Sequence, residues 1–180
     1  MIRLWARLLR ETPRSILTLK FRDWFGAPGL QARLRSLLMA EDVDPARLKL
    51  GSDNEATADH LRRYADIDIA LDPFPFTGST TTFEALWMGV PVVTLRGAFM
   101  AGRWSASMLA SAGLRELIAD NADDYAAIVS QLANYPERLA ALRAGLRERV
   151  RRSPLCDGQG RARQVERVYR AAWRRWCAGR

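Results

Sequence analysis

The sequence is poor in the residues that build metal sites, disulfide frameworks and membrane spans. It contains one histidine and two cysteines among 180 residues. Two widely separated cysteines supply neither a disulfide framework nor a set of metal ligands, so a reducing, cytoplasmic setting is expected. The longest uncharged and mainly apolar run, Ala85 to Leu95, has 11 residues and includes a glycine and a proline. A membrane-spanning helix needs roughly 20 apolar residues, so no membrane partner is expected.

Lysine is also scarce, because only Lys20 and Lys49 occur among 28 basic residues. Arginine therefore carries almost all of the net charge of +8, and it is unevenly spread. Residues 137–180 hold 13 arginines and four acidic residues, a balance of +9, whereas residues 1–136 balance to −1. This segment leaves open a noncatalytic, arginine-rich module that binds nucleic acid or an acidic partner. Helix ends and an apolar stripe account for the same residues, so nucleic acid is not the expected partner.

Apolar runs of strand length alternate with segments of helical periodicity along most of the chain. Strands are predicted at residues 15–20, 47–51, 67–71, 91–95 and 117–119, with helices between them. The run Pro91 to Leu95 is nearly all apolar, which is typical of a parallel strand covered on both faces. The pattern predicts an α/β protein with a doubly wound, Rossmann-like parallel sheet and a ligand site at the carboxyl ends of its strands.

The chain is expected to form one domain over residues 1–180, since this length fits a single core. Residues 137–180 are predicted to be a basic helical extension that packs on that domain. The last helix is long and carries an apolar stripe at helical spacing, which favours packing. The stripe consists of Val165, Val168, Tyr169, Ala172, Trp173 and Trp176.

The most informative segment, Asp72 to Gly97, joins two predicted strands through a loop and a helix. Its helix opens with one serine and three threonines at residues 79–82. Free N–H groups and the helix dipole at such a terminus attract an anion, and the hydroxyls suit phosphate oxygens. Glu84, one turn later, is placed to accept hydrogen bonds from sugar hydroxyls. These features suit a nucleoside diphosphate, but a plain helix cap at Ser79 or Thr80 explains the same residues.

A larger set of residues, in the same order along the chain, carries a family resemblance: Leu71–Asp72, Gly78–Thr82, Glu84–Leu95, Gly97, Gly113–Leu114, Glu116–Ala119 and Ser153–Leu155. Together they resemble the O-linked N-acetylglucosamine transferase and SPINDLY family. The resemblance implies the C-terminal, donor-binding half of a GT-B glycosyltransferase. It implies an inverting, metal-independent enzyme that transfers N-acetylglucosamine from UDP-N-acetylglucosamine to Ser or Thr of proteins, without a cofactor. The SPINDLY branch implies GDP-fucose as the alternative donor, in a protein O-fucosyltransferase.

The resemblance assigns the diphosphate and the ribose to the helix that opens at residue 79. Thr80 and Thr81, with Ser79 just before them, would bind the diphosphate. Glu84 would hold the ribose. Many animal members of the family carry a histidine where this chain has Ser79, which keeps only hydrogen bonding at that position.

The resemblance assigns the base of the nucleotide to a His-x-x-Arg segment, which falls on His60 and Arg63. The imidazole of His60 would lie against the uracil ring. The residues alone also allow an ordinary surface or structural role for His60, the one histidine of the sequence. Family members often carry a lysine near the donor where this chain has Thr57.

Other parts of the active site are expected to lie outside this chain. The resemblance implies a donor-contacting Gln or Asn and a Lys just before the helix that begins at Ile2. It also implies a first Rossmann half, and tetratricopeptide repeats that present a protein acceptor. The sequence offers no convincing catalytic base, so no catalytic residue is assigned. The expected partners are a nucleotide-sugar donor and a protein acceptor, with donor binding but no appreciable transfer by this chain alone.

Overall fold

The computed structural model describes residues 1–52 and 56–179. Within those ranges the order is α1 (Ile2–Glu11), β1 (Leu17–Lys20), α2 (Pro28–Met39), β2 (Leu48–Gly51), α3 (Thr57–Arg62), β3 (Ala70–Leu71), α4 (Thr80–Trp87), β4 (Val92–Leu95), α5 (Trp104–Ser111), β5 (Ile118–Ala119), α6 (Ala122–Asn134), α7 (Pro136–Arg151) and α8 (Gly158–Ala178). No helix in these ranges has the length and apolar content needed to cross a membrane.

All strand pairs among the described residues are parallel, as the apolar runs predict. β1 pairs with β2, with Leu17 opposite Leu48. β4 lies between β3 and β5 and pairs with both. The α/β class with a parallel, Rossmann-like arrangement is confirmed, although the hydrogen-bonded ladders lie in two sheets instead of one continuous sheet.

All five strands are shorter than their predicted ranges, by one residue for β2, β4 and β5, two for β1 and three for β3. The predicted strand at residues 67–71 is reduced to Ala70–Leu71. The guanidinium of Arg143 donates to the carbonyl oxygens of Ile67 and Asp68, so these carbonyls are hydrogen-bonded outside the ladder. The predicted strand at residues 117–119 begins one residue late, because Arg115–Leu117 forms a 3-10 turn.

Two buried clusters hold the elements together. The larger surrounds β4 and takes side chains from this strand and from the helices α4 to α7, including Leu86, Val93, Leu109, Tyr125 and Leu146. The smaller lies between the β1–β2 pair and the helices α1 and α2, and includes Ala6, Leu9, Leu17, Leu38 and Leu48. Burial of this apolar surface is the main force that fixes the carboxyl ends of β3 and β4 relative to α4.

The two helices of the basic extension behave differently. α7 buries Leu139, Leu146 and Val150 in the larger cluster. α8 buries none of its residues, and Trp173 and Trp176 are 66% and 58% exposed. Within the described residues no side chain of α8 is buried, so the predicted packing of its stripe on the domain stays a prediction. The division of the chain into one domain with an extension stays a prediction.

Several arginines of α7 bind backbone carbonyl groups of neighbouring elements. Arg147 Nε donates to Trp87 O at 2.6 Å, and its guanidinium lies 5.8 Å from the centre of the Trp87 ring. Arg149 Nη2 donates to Gly113 O at 2.7 Å. Carbonyls at a helix end lack partners within the helix, and cations there are stabilised by its dipole. Part of the positive charge of the extension is thus used in packing α7 on the core.

Candidate functional site

The loop after β3 and the first turn of α4 form the centre of the candidate site. β3 ends at Leu71, and α4 begins at Thr80. Ser79 is the N-cap residue, and its Oγ accepts the N–H of Thr80 at 2.7 Å. The helix cap that the sequence offered as an alternative is therefore present. It satisfies only one of the N–H groups that a helix terminus leaves without an intrahelical acceptor.

The rest of this terminus keeps polar groups that can meet a ligand. The side chains of Thr80 and Thr81 are exposed, whereas that of Thr82 is buried. In the described part of the chain, the N–H groups of Thr81 and Thr82 have no protein acceptor. The first turn also carries the positive end of the helix dipole. Cap and anion site are thus compatible, and the geometry suits a phosphate at this turn.

Gly78 is the residue at which the loop approaches α4 most closely. A Cβ atom at this position would lie 2.4 Å from Thr82 Oγ1 and 2.9 Å from Thr81 Oγ1. These distances are far below van der Waals contact, so a side chain at this position requires the side chains of Thr81 and Thr82 to shift. The Gly78 N–H donates to Asp72 Oδ1 at 2.7 Å, and the Gly78 carbonyl accepts from Ser105 Oγ at 3.0 Å.

Asp72 lies directly after β3 and is 5% exposed. Its second carboxylate oxygen accepts from Thr94 Oγ1 at 2.5 Å, at the centre of β4. Burial raises the pKa of Asp72, while hydrogen bonds from Thr94 and the Gly78 N–H act in the opposite direction. Desolvation disfavours the charged carboxylate, and donated hydrogen bonds favour it. The net direction shows that desolvation is the larger of the two effects.

A second wall of the site is formed by α3 and the turn that follows it. His60 Nε2 lies 3.5 Å from Glu84 Oε2, which joins α3 to α4. Both side chains are partly open to solvent, at 37% and 24% exposure. Their polar atoms therefore remain within reach of a ligand that approaches the start of α4.

Tyr64 fills the space between these two helices. Its ring meets the His60 ring edge-on, with 5.7 Å between the ring centres. Its hydroxyl donates to Thr81 O at 3.3 Å. Burial, together with the charge of Glu84, raises the pKa of Tyr64 to about 12. The phenol therefore stays protonated near neutral pH and keeps its hydrogen-bond proton.

The structure brings most of the sequence-predicted residues to one place. Ser79, Thr80 and Thr81 lie at the start of α4, and Glu84 lies one turn further along the same helix, opposite His60. Arg63 begins the 3-10 turn after α3, and its side chain is exposed. Its place at the base-binding edge stays a prediction, as do the ligand roles of the other five residues.

Sequence reasoning assigned no role to Tyr64 or to the carboxylate of Asp72. Tyr64 follows His60 by four residues, a spacing that places both on one face of a helical segment. Asp72 follows a predicted strand directly, and ligand sites of parallel sheets lie at such ends. Both signals were therefore present in the sequence. Among the described residues, no group of three or more His, Cys, Asp or Glu side chains is arranged to hold a metal ion.

Known proteins similar to this chain share its sequence and its fold. The SPINDLY protein of Petunia hybrida, described as a probable UDP-N-acetylglucosamine–peptide N-acetylglucosaminyltransferase, is 40% identical over 99% of this chain and 19% of its own length. The corresponding transferase of Caenorhabditis elegans is 29% identical over 98% of this chain and 15% of its own length. The solved structure of a mutant O-GlcNAc transferase of Thermobaculum terrenum matches with a TM-score of 0.90 and 41% identity.

These matches show which family the chain belongs to and what share of a longer protein the chain covers. The match to the solved structure covers 98% of this chain and 34% of that protein, which confirms the expected GT-B class of fold. The chain spans 15–19% of the length of these two curated relatives. The model of glycosyl transferase family 41 matches residues 1–165, and the chain therefore belongs to this family of glycosyltransferases.

Proposed function

We propose that this chain is the donor-binding part of a transferase that moves N-acetylglucosamine from UDP-N-acetylglucosamine to Ser or Thr of proteins. The observation that carries the proposal is the position of the His60–Glu84 pair beside the start of α4, in a chain of family 41. One side of the site suits an anion and the other suits a nucleoside. A nucleoside diphosphate has both parts.

The diphosphate is placed at the first turn of α4. The N–H groups of Thr81 and Thr82 point out of the helix terminus, and the hydroxyls of Thr80 and Thr81 are exposed beside them. Backbone N–H groups at a helix start bind phosphate through hydrogen bonds and through the dipole. Ser79, as the cap, fixes this turn.

The nucleoside is placed along the wall formed by His60, Arg63 and Glu84. The Glu84 carboxylate is an acceptor for the two ribose hydroxyls, and it is only a quarter exposed. The flat imidazole of His60 provides a surface for the uracil ring. Arg63, on the next turn, supplies a donor for the carbonyl oxygens of the base.

Sugar transfer from this donor requires stabilisation of the departing diphosphate, a positioned acceptor hydroxyl and a route for its proton. The α4 terminus is suited to the first of these tasks. We propose inversion at the anomeric carbon without a metal ion, since the amides and hydroxyls at α4 can stabilise the leaving diphosphate. The proton acceptor is placed outside this chain, so this chain binds the donor without appreciable transfer. A protein acceptor is presented by tetratricopeptide repeats of the longer enzyme, in the cytoplasm.

Calorimetric titration with UDP and UDP-N-acetylglucosamine tests the proposal. The expected result is binding that is lost in a Thr80→Ala, Thr81→Ala double variant and kept in Thr18→Ala, which removes an exposed threonine of β1. Lack of binding both in this chain and in a chain extended by its upstream coding sequence would overturn the proposal.

The identity of the donor is tested by competition between nucleotides. Bound UDP is challenged with GDP and with GDP-fucose at equal concentrations. Preference for UDP supports N-acetylglucosamine transfer. Preference for GDP-fucose counts against N-acetylglucosamine transfer and supports the alternative, a protein O-fucosyltransferase.

A further inference from the structure

Asp72 is a buried carboxylate to which the proposed chemistry gives no task. Burial of a charged group is unfavourable unless its hydrogen-bonding capacity is used. Here both oxygens are used, since Oδ1 accepts the Gly78 N–H at 2.7 Å and Oδ2 accepts the Thr94 hydroxyl at 2.5 Å. One oxygen is thus bound to the loop that leads into α4 and the other to the central strand β4.

The main chain of Asp72 is fixed as well. Its N–H donates to Val93 O at 3.0 Å, as part of the β3–β4 ladder. Its carbonyl accepts from the hydroxyl of Tyr125 at 3.3 Å, and Tyr125 is completely buried. The carboxylate therefore sits on a rigid base and holds Gly78 at a fixed distance from the sheet.

Gly78 is held from its other side by α5. Ser105 Oγ donates to Gly78 O at 3.0 Å and lies 2.8 Å from Thr82 Oγ1, with which it shares a second hydrogen bond. Ser105 is completely buried, and Thr82 is 3% exposed. The peptide groups on both sides of Gly78 thus have buried partners.

We propose that Asp72 is a positioning residue for the donor diphosphate, an inference that rests on the proposed function. Thr80 and Thr81 follow Gly78 by two and three residues, so a displacement of Gly78 moves the N–H groups and hydroxyls of the first turn. A site of this kind holds its ligand only when its groups stay within about 0.5 Å of the productive geometry. Asp72 sets that geometry from the sheet, and Ser105 supports it from α5.

The test compares the affinities of UDP and uridine in the unmodified chain, Asp72→Ala and Asp72→Asn. The two ligands differ only in the diphosphate, so their affinity ratio isolates the start of α4. Asp72→Ala leaves the Gly78 N–H without its acceptor, and the ratio is expected to fall roughly tenfold, equivalent to about 1.4 kcal/mol. Asp72→Asn keeps an oxygen for the Gly78 N–H, so the ratio is expected to stay within about twofold of the original.

If Asp72→Ala fails to fold, the same comparison is made with Ser105→Ala. Its matched control is Ser153→Ala, since Ser153 is also a buried serine whose hydroxyl donates to a main-chain carbonyl, that of Val150 at 2.7 Å. Ser105→Ala is expected to lower the ratio of UDP to uridine affinity, and Ser153→Ala is expected to leave it unchanged. Equal losses for UDP and uridine, or an unchanged ratio in folded Asp72→Ala and Ser105→Ala, would overturn the inference.

Hydrogen exchange separates this inference from the proposed function. The amides of Gly78, Thr80 and Phe83, which have acceptors in the structure, are expected to exchange faster in Asp72→Ala, whereas those of β4 keep the rate of the unmodified chain. Unchanged exchange at Thr80 and Phe83, whose N–H groups are bound to Ser79, contradicts the positioning role whether or not a nucleotide binds. Faster exchange in a chain that does not bind UDP supports the control of α4 by Asp72 and counts against the proposed ligand alone.

Discussion

His60 Nε2 and Glu84 Oε2 lie 3.5 Å apart, although 24 residues separate them in the sequence. The pair joins α3 to α4 across the space that Tyr64 fills. Each side chain therefore orients the other, and both stay partly exposed at the entrance of the site. Substitutions at this contact distinguish the nucleoside part of the site from its phosphate part.

Glu84→Ala is expected to lower the affinities for UDP and for uridine by the same factor, because both ligands contain the ribose. Removal of a carboxylate that accepts ligand hydrogen bonds costs roughly tenfold or more in affinity. Titration of both ligands measures the factor, and Glu137→Ala, at an exposed position of α7, serves as the control. A loss confined to UDP would place Glu84 near the phosphates instead.

Tyr64→Ala is expected to weaken nucleotide binding and to lower the free energy of unfolding by about 2 kcal/mol, since it leaves a space between α3 and α4. Tyr64→Phe keeps the ring contact with His60 and loses only the hydrogen bond to Thr81 O, so its affinity is expected to fall less than about threefold. Thermal melts and UDP titrations of both variants provide the comparison. Equal effects of the two substitutions would show that the hydroxyl matters more than the ring.

Gly78→Ala is expected to lower both stability and UDP affinity. Its Cβ would lie within 3 Å of the hydroxyl oxygens of Thr81 and Thr82, so these side chains of the first turn have to shift. The matched control is Gly145→Ala in α7, where a Cβ meets no atom within 4 Å. That change removes a helix-interior glycine and is expected to raise the free energy of unfolding by roughly 0.5–1 kcal/mol. Unfolding in denaturant measures both, and a tolerated alanine at residue 78 contradicts the tight approach.

The raised pKa of Asp72 predicts a pH-dependent difference between the unmodified chain and Asp72→Asn. A carboxyl group whose pKa is higher in the folded state binds its proton more tightly there. Its contribution to stability therefore falls as the pH rises from the unfolded-state pKa to the folded-state pKa. Asparagine does not ionise and escapes this loss. The melting temperature of Asp72→Asn relative to that of the unmodified chain is therefore expected to rise from acid towards neutral pH.

Melting temperatures measured between about pH 4 and pH 8 test this sign. Asp66→Asn, at an exposed position of the turn after α3, controls for the general effect of a removed charge. A difference that grows as the pH falls would mean that the folded state favours the ionised carboxylate.

Arg47 fixes the end of α1 to the β1–β2 pair. Its guanidinium donates to the carbonyls of Leu9, Thr12 and Ser15, at 2.8, 2.7 and 2.9 Å. Arg47→Ala is expected to lower the free energy of unfolding by about 3 kcal/mol, because partly buried carbonyls lose a charged donor. Chemical denaturation checks the value against Arg33→Ala, at an exposed position of α2. A loss no larger than that of the control would show that water replaces these bonds.

The sequence was sufficient for the elements whose signal is local. β4 is an apolar run bounded by a proline and an arginine, and α4 is preceded by a serine that caps it, so both were predicted within a residue. The site residues between positions 79 and 84 lie close together because they belong to the cap and the first turns of one helix. These features depend on neighbours within one or two turns, which a single sequence records directly.

Features that depend on distant residues escaped prediction. Ile67 and Asp68 lie outside the strand, and their carbonyl oxygens accept hydrogen bonds from Arg143, which follows them by 75 or more residues. The contacts of Asp72 with Thr94 and with Gly78 need the sheet and the loop to be placed first. The apolar spacing of the α8 stripe identifies one face of a helix. It does not identify what packs against that face, and none of the residues of α8 is buried.

The exposure of α8 also determines how this chain unfolds. Its 21 residues add no buried side chain to either cluster, so its melting is not coupled to that of the cores. Helices without packing partners lose their order gradually as the temperature rises, whereas packed cores melt in one cooperative step. Ellipticity and heat capacity will consequently follow different transitions, and a two-state treatment describes only the part of the chain that precedes α8.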